Sequence, residues 1–282
     1  MANNFRLAAF ADEANAAIDE QIKAMKKNGI SMLEVRGVDG TNVASISESK
    51  AKEVKAKLDA AGLGVWSIGS PVGKSDIHKD FSFESEQFKR VLETALIMDA
   101  RCIRLFSFFG TEGKPEYRDE VLYRLSKYIE MAKGSGVILC HENEKGIYGD
   151  VAARCEEIQK ALPELKAVFD PANFIQCGQD TLEAWKLLKK YVYYFHIKDC
   201  IEGGRVVPAG KGIGHLHEIL PEYNGLASDV LTLEPHLSDF VGLVGLENEG
   251  AKSDVGSVYS FASNEEAFDF ACTSLAQITK NI

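Results

Sequence analysis

The chain has 282 residues, 45% of them hydrophobic and 26% charged, with a formal net charge of -10. That length gives one large domain or two small ones with ample core, and the acidic balance repels a phosphate backbone or an anionic membrane, so neither is an expected partner. No apolar run reaches transmembrane length, MANNFRLAAF lacks the layout of a leader, and the six cysteines form no CxxC pair, so Cys102, Cys140, Cys155, Cys177, Cys200 and Cys272 read as reduced core thiols of a cytoplasmic protein.

The first β-like run is RLAAF at 6–10, which leads into FADEAN with Glu13. A helix follows over 18–29, with Gly29 where a helix end wants a left-handed residue. MLEV at 32–35 is the second strand and is followed by Arg36. The next helix, 47–62, has Ser47 as its cap, Glu48 in its first turn and Gly62 at its end. GVWSI at 64–68 is the third strand, with Trp66 in the core and Lys74 in the loop after it. A helix over 82–100 is expected to be capped by Ser82, with Glu84 and Glu86 in its first turn. The remaining strands are CIRLFSF at 102–108, VILC at 137–140, KAVF at 166–169, YYFHI at 193–197 and VLTL at 230–233.

Most of these runs are apolar on both faces, as parallel strands covered on both sides are. They recur at intervals of roughly 26 to 38 residues, one βα unit each. No linker interrupts them, and FADEAN carries no Gly-rich dinucleotide turn. The expectation is a (β/α)8 TIM barrel forming a single domain over residues 1–282.

Barrel active sites lie at the C-terminal strand ends. The fifth strand runs into HENEK with Glu142, the sixth into DPAN with Asp170, the seventh carries His196, and the eighth runs into EPHL with Glu234. Side chains two apart share a strand face. If these four face the mouth, their neighbours two residues back are Cys140, Val168, Tyr194 and Thr232, mostly suited to a core. A lone strand-end Asp is more often a cap, and a lone His a satisfied core residue, but four such groups at four successive strand ends point to a cation. Three carboxylates and an imidazole make a hard O/N site for one divalent ion, Mn2+ or Mg2+ first, with Co2+ or Zn2+ as alternatives.

The order E, D, H, E on strands five to eight, DPAN in the place of DTGH-like sequences, and HIKD followed by PAGKG resemble the sugar phosphate isomerase/epimerase family of xylose isomerase-like barrels. The resemblance implies that Glu142, Asp170, His196 and Glu234 bind the metal and that Glu142 and Glu234 double as the acid/base pair. The activity it implies is isomerisation or epimerisation of a small carbohydrate, phosphorylated or not, by proton transfer through a metal-stabilised enediolate. Homo-oligomers are common in that family. Asn173 stands where members often carry His; an amide can bond sugar hydroxyls but cannot carry a proton.

Arg36, Lys74, Asn173, Lys198 and His236 are the candidate substrate-binding residues, Lys198 and His236 by strand parity with a ligand. Rim salt bridges are the plain alternative for each of the charged ones, Glu13 included. Asp199 has the opposite parity and is expected to support His196 or a helix end. His141 is expected to face the helices, Asn143 and Glu144 the pocket edge. PAGKGIG at 208–214 looks like a phosphate loop but lacks the flanking context, which favours an ordinary loop. The rival functions are a lyase of the inosose dehydratase kind, which shares the first proton abstraction, a type IV abasic-site endonuclease, which needs more His ligands than this chain offers, and a sugar-binding protein without turnover.

Overall fold

A computed structural model describes residues 4–241, 258–280 and 282 of the chain. Eight parallel strands close into a barrel: Arg6–Ala9, Met32–Val35, Gly64–Gly69, Cys102–Leu105, Ile138–Glu142, Lys166–Phe169, Val192–Ile197 and Val230–Leu233. Each lies beside its predecessor in the chain, and the eighth closes on the first from Arg6↔Val230 to Ala9↔Leu233. Helices connect them: Ile18–Lys27, Glu48–Ala61, Phe81–Ile97, Arg118–Ala132, Ala152–Ala161, the pair Pro171–Gln176 and Thr181–Leu188, Leu216–Tyr223, and finally Asn264–Thr279. The chain is a (β/α)8 TIM barrel, as its spacing implies. Two short hairpins decorate the C-terminal loops, Gly37–Val38 with Thr41–Asn42 and Asp199–Cys200 with Val206–Val207.

Local chemistry sets most element ends. Ser47 accepts from the Lys50 amide at 3.2 Å, and Gly62 closes that helix at φ 73°, a left-handed conformation that costs glycine little. The helix Phe81–Ile97 departs from expectation: Asp80, not Ser82, is its cap, and its carboxylate accepts the Ser82 amide at 2.7 Å. Glu84 does lie in the first turn, but it points inward, where it accepts from the Gly73 amide and the Ser75 hydroxyl, both at 2.7 Å. It therefore pins the loop after the third strand. Glu86 lies beyond the first turn.

Two strand ends also move. The fourth strand stops at Leu105 because the Phe106 and Phe108 amides turn to Val72 O and Gly73 O, with Phe108 at φ 67°. The fifth runs two residues past the expected end, with His141 paired to Ala167 and Glu142 to Val168. Ala8, Trp66, Cys102, Cys140, Val168, Tyr194 and Val230 fill the barrel interior as an apolar plug. All six cysteines are free thiols, and five of them are buried. Among the described residues no helix is long and apolar enough to cross a membrane. Residues 1–3, part of the segment read above for a leader, lie outside the described residues.

Candidate functional site

Strand alternation carries the plug straight up into a polar layer. Two residues beyond Cys102, Cys140, Val168 and Tyr194 stand Arg104, Glu142, Asp170 and His196, and four beyond Val230 stands Glu234. Glu142, Asp170, His196 and Glu234 are all buried, and each offers a ligand atom within 4.8 Å of the others. The structure thus brings together the four strand-end groups singled out in the sequence.

Each is held so that one atom remains for the centre. Asp170 caps the helix Pro171–Gln176 with Oδ1, which accepts the Asn173 amide at 3.0 Å. Its Oδ2 is buried and makes no hydrogen bond, although the Lys198 ammonium approaches it to 3.0 Å. Glu142 Oε2 accepts from Arg104 Nη1 at 2.7 Å, while Oε1 faces His196 Nδ1 at 2.9 Å and Asn173 Nδ2 at 3.2 Å. Glu234 Oε1 accepts from Arg36 Nη1 at 3.0 Å, and Oε2 accepts from Lys198 at 3.1 Å, with His196 Nδ1 3.7 Å away.

The other candidates sort by these contacts. Arg36 spends its guanidinium on Asp12, Glu13 and Glu234, between the rings of Phe10 and Phe240. Lys74 pairs with Glu144 at 3.0 Å over the ring of Phe106. Asn143 clasps the Asp170 backbone through both amide atoms, at 2.9 Å each way. His236, at φ 46°, sets Nε2 at 3.4 Å from Glu13 and 3.6 Å from Glu234, yet neither ring nitrogen has a hydrogen-bond partner. His141 turns away from the centre to Ser107 Oγ at 2.9 Å, on the helix side as expected.

Asp199 departs from expectation. It supports neither His196 nor a helix end; its carboxylate accepts from the amides of Cys200, Gly210, Gly212 and Gly214 at 2.9 to 3.0 Å. The glycine amides of PAGKGIG are therefore occupied by an internal carboxylate, not offered to a phosphate. A Cβ on Gly212 would sit 2.2 Å from Cys200 O and 2.3 Å from Asp199 Oδ1, so this clamp requires glycine there.

Sequence reading passed over Glu34 and Arg104, two buried charges inside apolar strands. Glu34 Oε2 lies 3.1 Å from His196 Nε2, and its Oε1 accepts from Tyr194 and Ser67. The signal was present: a charged residue within MLEV and within CIRLFSF raises the same question as HENEK.

Charge separates the two kinds of carboxylate. Burial pushes Glu142 upward, but His196 and Arg104 outweigh it and hold the group down at about 2. Glu234, also buried, is held well below the usual range by Lys198, His236, His196 and Arg36. Asp170 is lifted to about 7 by burial, and Glu13 to about 8 for the same reason. His196 is raised despite burial by Glu142 and Glu34, whereas burial and Lys198 keep His236 low.

Six buried carboxylates (Asp12, Glu13, Glu34, Glu142, Asp170, Glu234) face three buried permanent cations (Arg36, Arg104, Lys198). Buried charge of one sign needs a partner. Protons offset that excess here, burial lifting Glu13 and Asp170 while the neighbouring carboxylates raise His196, and the O/N donor set fits a divalent cation in their place.

A family model described as xylose isomerase-like TIM barrel matches residues 22–254. No curated protein matches the chain at a significant level. Among solved structures, the probable 3-DHS dehydratase AsbF involved in petrobactin synthesis, from Bacillus anthracis, superposes with a TM-score of 0.73 at 14% identity, over 96% of this chain and 99% of that one. The IOLI protein with a bound zinc atom gives 0.72 at 14% identity, over 98% and 99%. D-psicose 3-epimerase with D-tagatose, from Clostridium cellulolyticum H10, gives 0.72 at 14%, over 99% of each chain. At such identities the likeness is one of fold.

Proposed function

The chain belongs to the xylose isomerase-like TIM barrel family, and from that premise we propose that it is a divalent-metal-dependent isomerase or epimerase of a small carbohydrate. The observation that carries this reading is the convergence of Glu142, Asp170, His196 and Glu234 at the barrel mouth. Those four residues would hold the ion, through Asp170 Oδ2, His196 Nδ1, Glu142 Oε1 and Glu234 Oε2. When bound, a divalent ion supplies Lewis acidity toward a substrate carbonyl.

Glu142 and Glu234 are the acid/base pair of this reading. Arg104 on Glu142 Oε2 and Arg36 on Glu234 Oε1 keep both carboxylates ionised, the form in which a carboxylate can take up a proton. They stand at the two ends of the run of strands five to eight, and in this reading one removes a proton from a carbon beside a carbonyl and the other delivers one. Lys198, Asn173 and His236 are the groups best placed to bond substrate oxygens, since each already touches a member of the cluster. Arg36 and Lys74 are better read as holders of Glu234 and Glu144.

The likeness to a dehydratase favours one second reading, a lyase that begins with the same proton removal and then expels a leaving group. Deuterium wash-in from D2O, run with Mn2+ over ketoses, inososes and their phosphates, separates the two by product. Glu142→Gln and Glu234→Gln should each lower turnover by ~10²–10⁴-fold, the usual worth of a positioned acid or base. Near-native turnover in both variants with metal bound would sink the acid/base assignment.

A further inference from the structure

Glu34 lies on the second strand, a strand that offers no ligand to the cluster, and is 1% exposed. Its Oε1 is taken by two hydroxyls, Tyr194 at 2.9 Å and Ser67 at 3.1 Å, while Oε2 meets His196 Nε2 at 3.1 Å. Were Nδ1 to ligate the ion, the ring's one N–H would be left on Nε2, where Glu34 Oε2 stands as its acceptor. The ring plane is held as well, by the edges of Phe10 and Tyr194 at centroid distances of 5.1 and 5.4 Å. Nδ1 then has one direction left, toward Glu142 Oε1 and Glu234 Oε2.

We propose that Glu34 is a positioning residue: it fixes His196 with a proton on Nε2 and so presents the Nδ1 lone pair to the ion. This rests on the metal reading of Glu142, Asp170, His196 and Glu234. A carboxylate behind a ligating imidazole both orients the ring and raises its basicity. Glu34 thereby becomes part of the metal centre without touching the metal.

The test titrates the metal-free protein with Zn2+ against a competing chelator. Glu34→Gln keeps an acceptor oxygen but no charge and should weaken Zn2+ binding about tenfold, and Glu34→Leu, which keeps neither, about 100-fold, the range typical of such partners. Nitrogen-15 spectra of the Zn2+-loaded wild type should show the His196 proton on Nε2 and the metal on Nδ1. A proton on Nδ1, or Zn2+ binding by Glu34→Gln as tight as by wild type, overturns the role of Glu34 while leaving the metal site intact. A wild type that binds no Zn2+ removes the metal reading itself, and this inference with it. Should Glu34→Leu fail to fold by circular dichroism, the Gln variant and the spectra decide.

Discussion

Asp170 shows how one side chain satisfies two readings that the sequence sets against each other. As a strand-end Asp it is a helix cap through Oδ1, and as a cluster member it offers Oδ2. His141 and Glu142 show the reverse, neighbours in sequence that strand alternation sends to opposite faces. Burial holds the His141 imidazole down at about 4. The folded protein keeps it neutral, while the unfolded chain takes up a proton below about 6.5. Its contribution to stability is therefore complete above pH 6.5 and is lost as the pH falls toward 4, by about 3 kcal/mol. Urea unfolding at pH 7 and pH 4.5 should show a smaller acid loss in His141→Asn than in wild type. Equal losses would show that His141 is not the group responsible.

At the scale of elements, the barrel splits its labour between halves. Strands five to eight bring the four cluster residues, and the early strands bring groups that hold them: Glu34 for His196, Arg36 for Glu234 and Arg104 for Glu142. The loop after strand seven is held by a single side chain. Asp199 is the common acceptor of four amides between Cys200 and Gly214. Removing it leaves four amides to find other partners at a charged-acceptor cost of about 2 kcal/mol or more. Asp199→Ala should unfold at lower urea and be cut by trypsin at Arg205 or Lys211 before wild type is. Unchanged midpoint and digestion would mean that the hairpin Asp199–Cys200 with Val206–Val207 secures the loop alone.

For the whole molecule, the carboxylates crowded at the mouth are a cost, met in part by protons on Glu13 and Asp170, that a cation would relieve. A ligand that binds only the folded state at 100 times its Kd adds about 2.7 kcal/mol, equivalent to a Tm increase of about 5 °C in a domain of this size. EDTA-treated protein should therefore melt lower than protein supplied with Mn2+, Mg2+ or Zn2+, by differential scanning fluorimetry. A Tm indifferent to all three ions would count against the metal centre.

The barrel was legible in the chain because eight apolar runs at βα spacing leave little else to build, and Glu142, Asp170, His196 and Glu234 were legible because each stands near the C-terminal end of such a run. The ends of the fourth and fifth strands were not, since they depend on whether an amide finds its partner in the next strand or in a loop. Nor were the holders. Glu34 and His196 are 162 positions apart in the chain, and Arg36 and Glu234 are 198 apart. A charge inside a strand can be read as anomalous from sequence, but its partner is chosen only when the ring closes and brings the last strands round to the first.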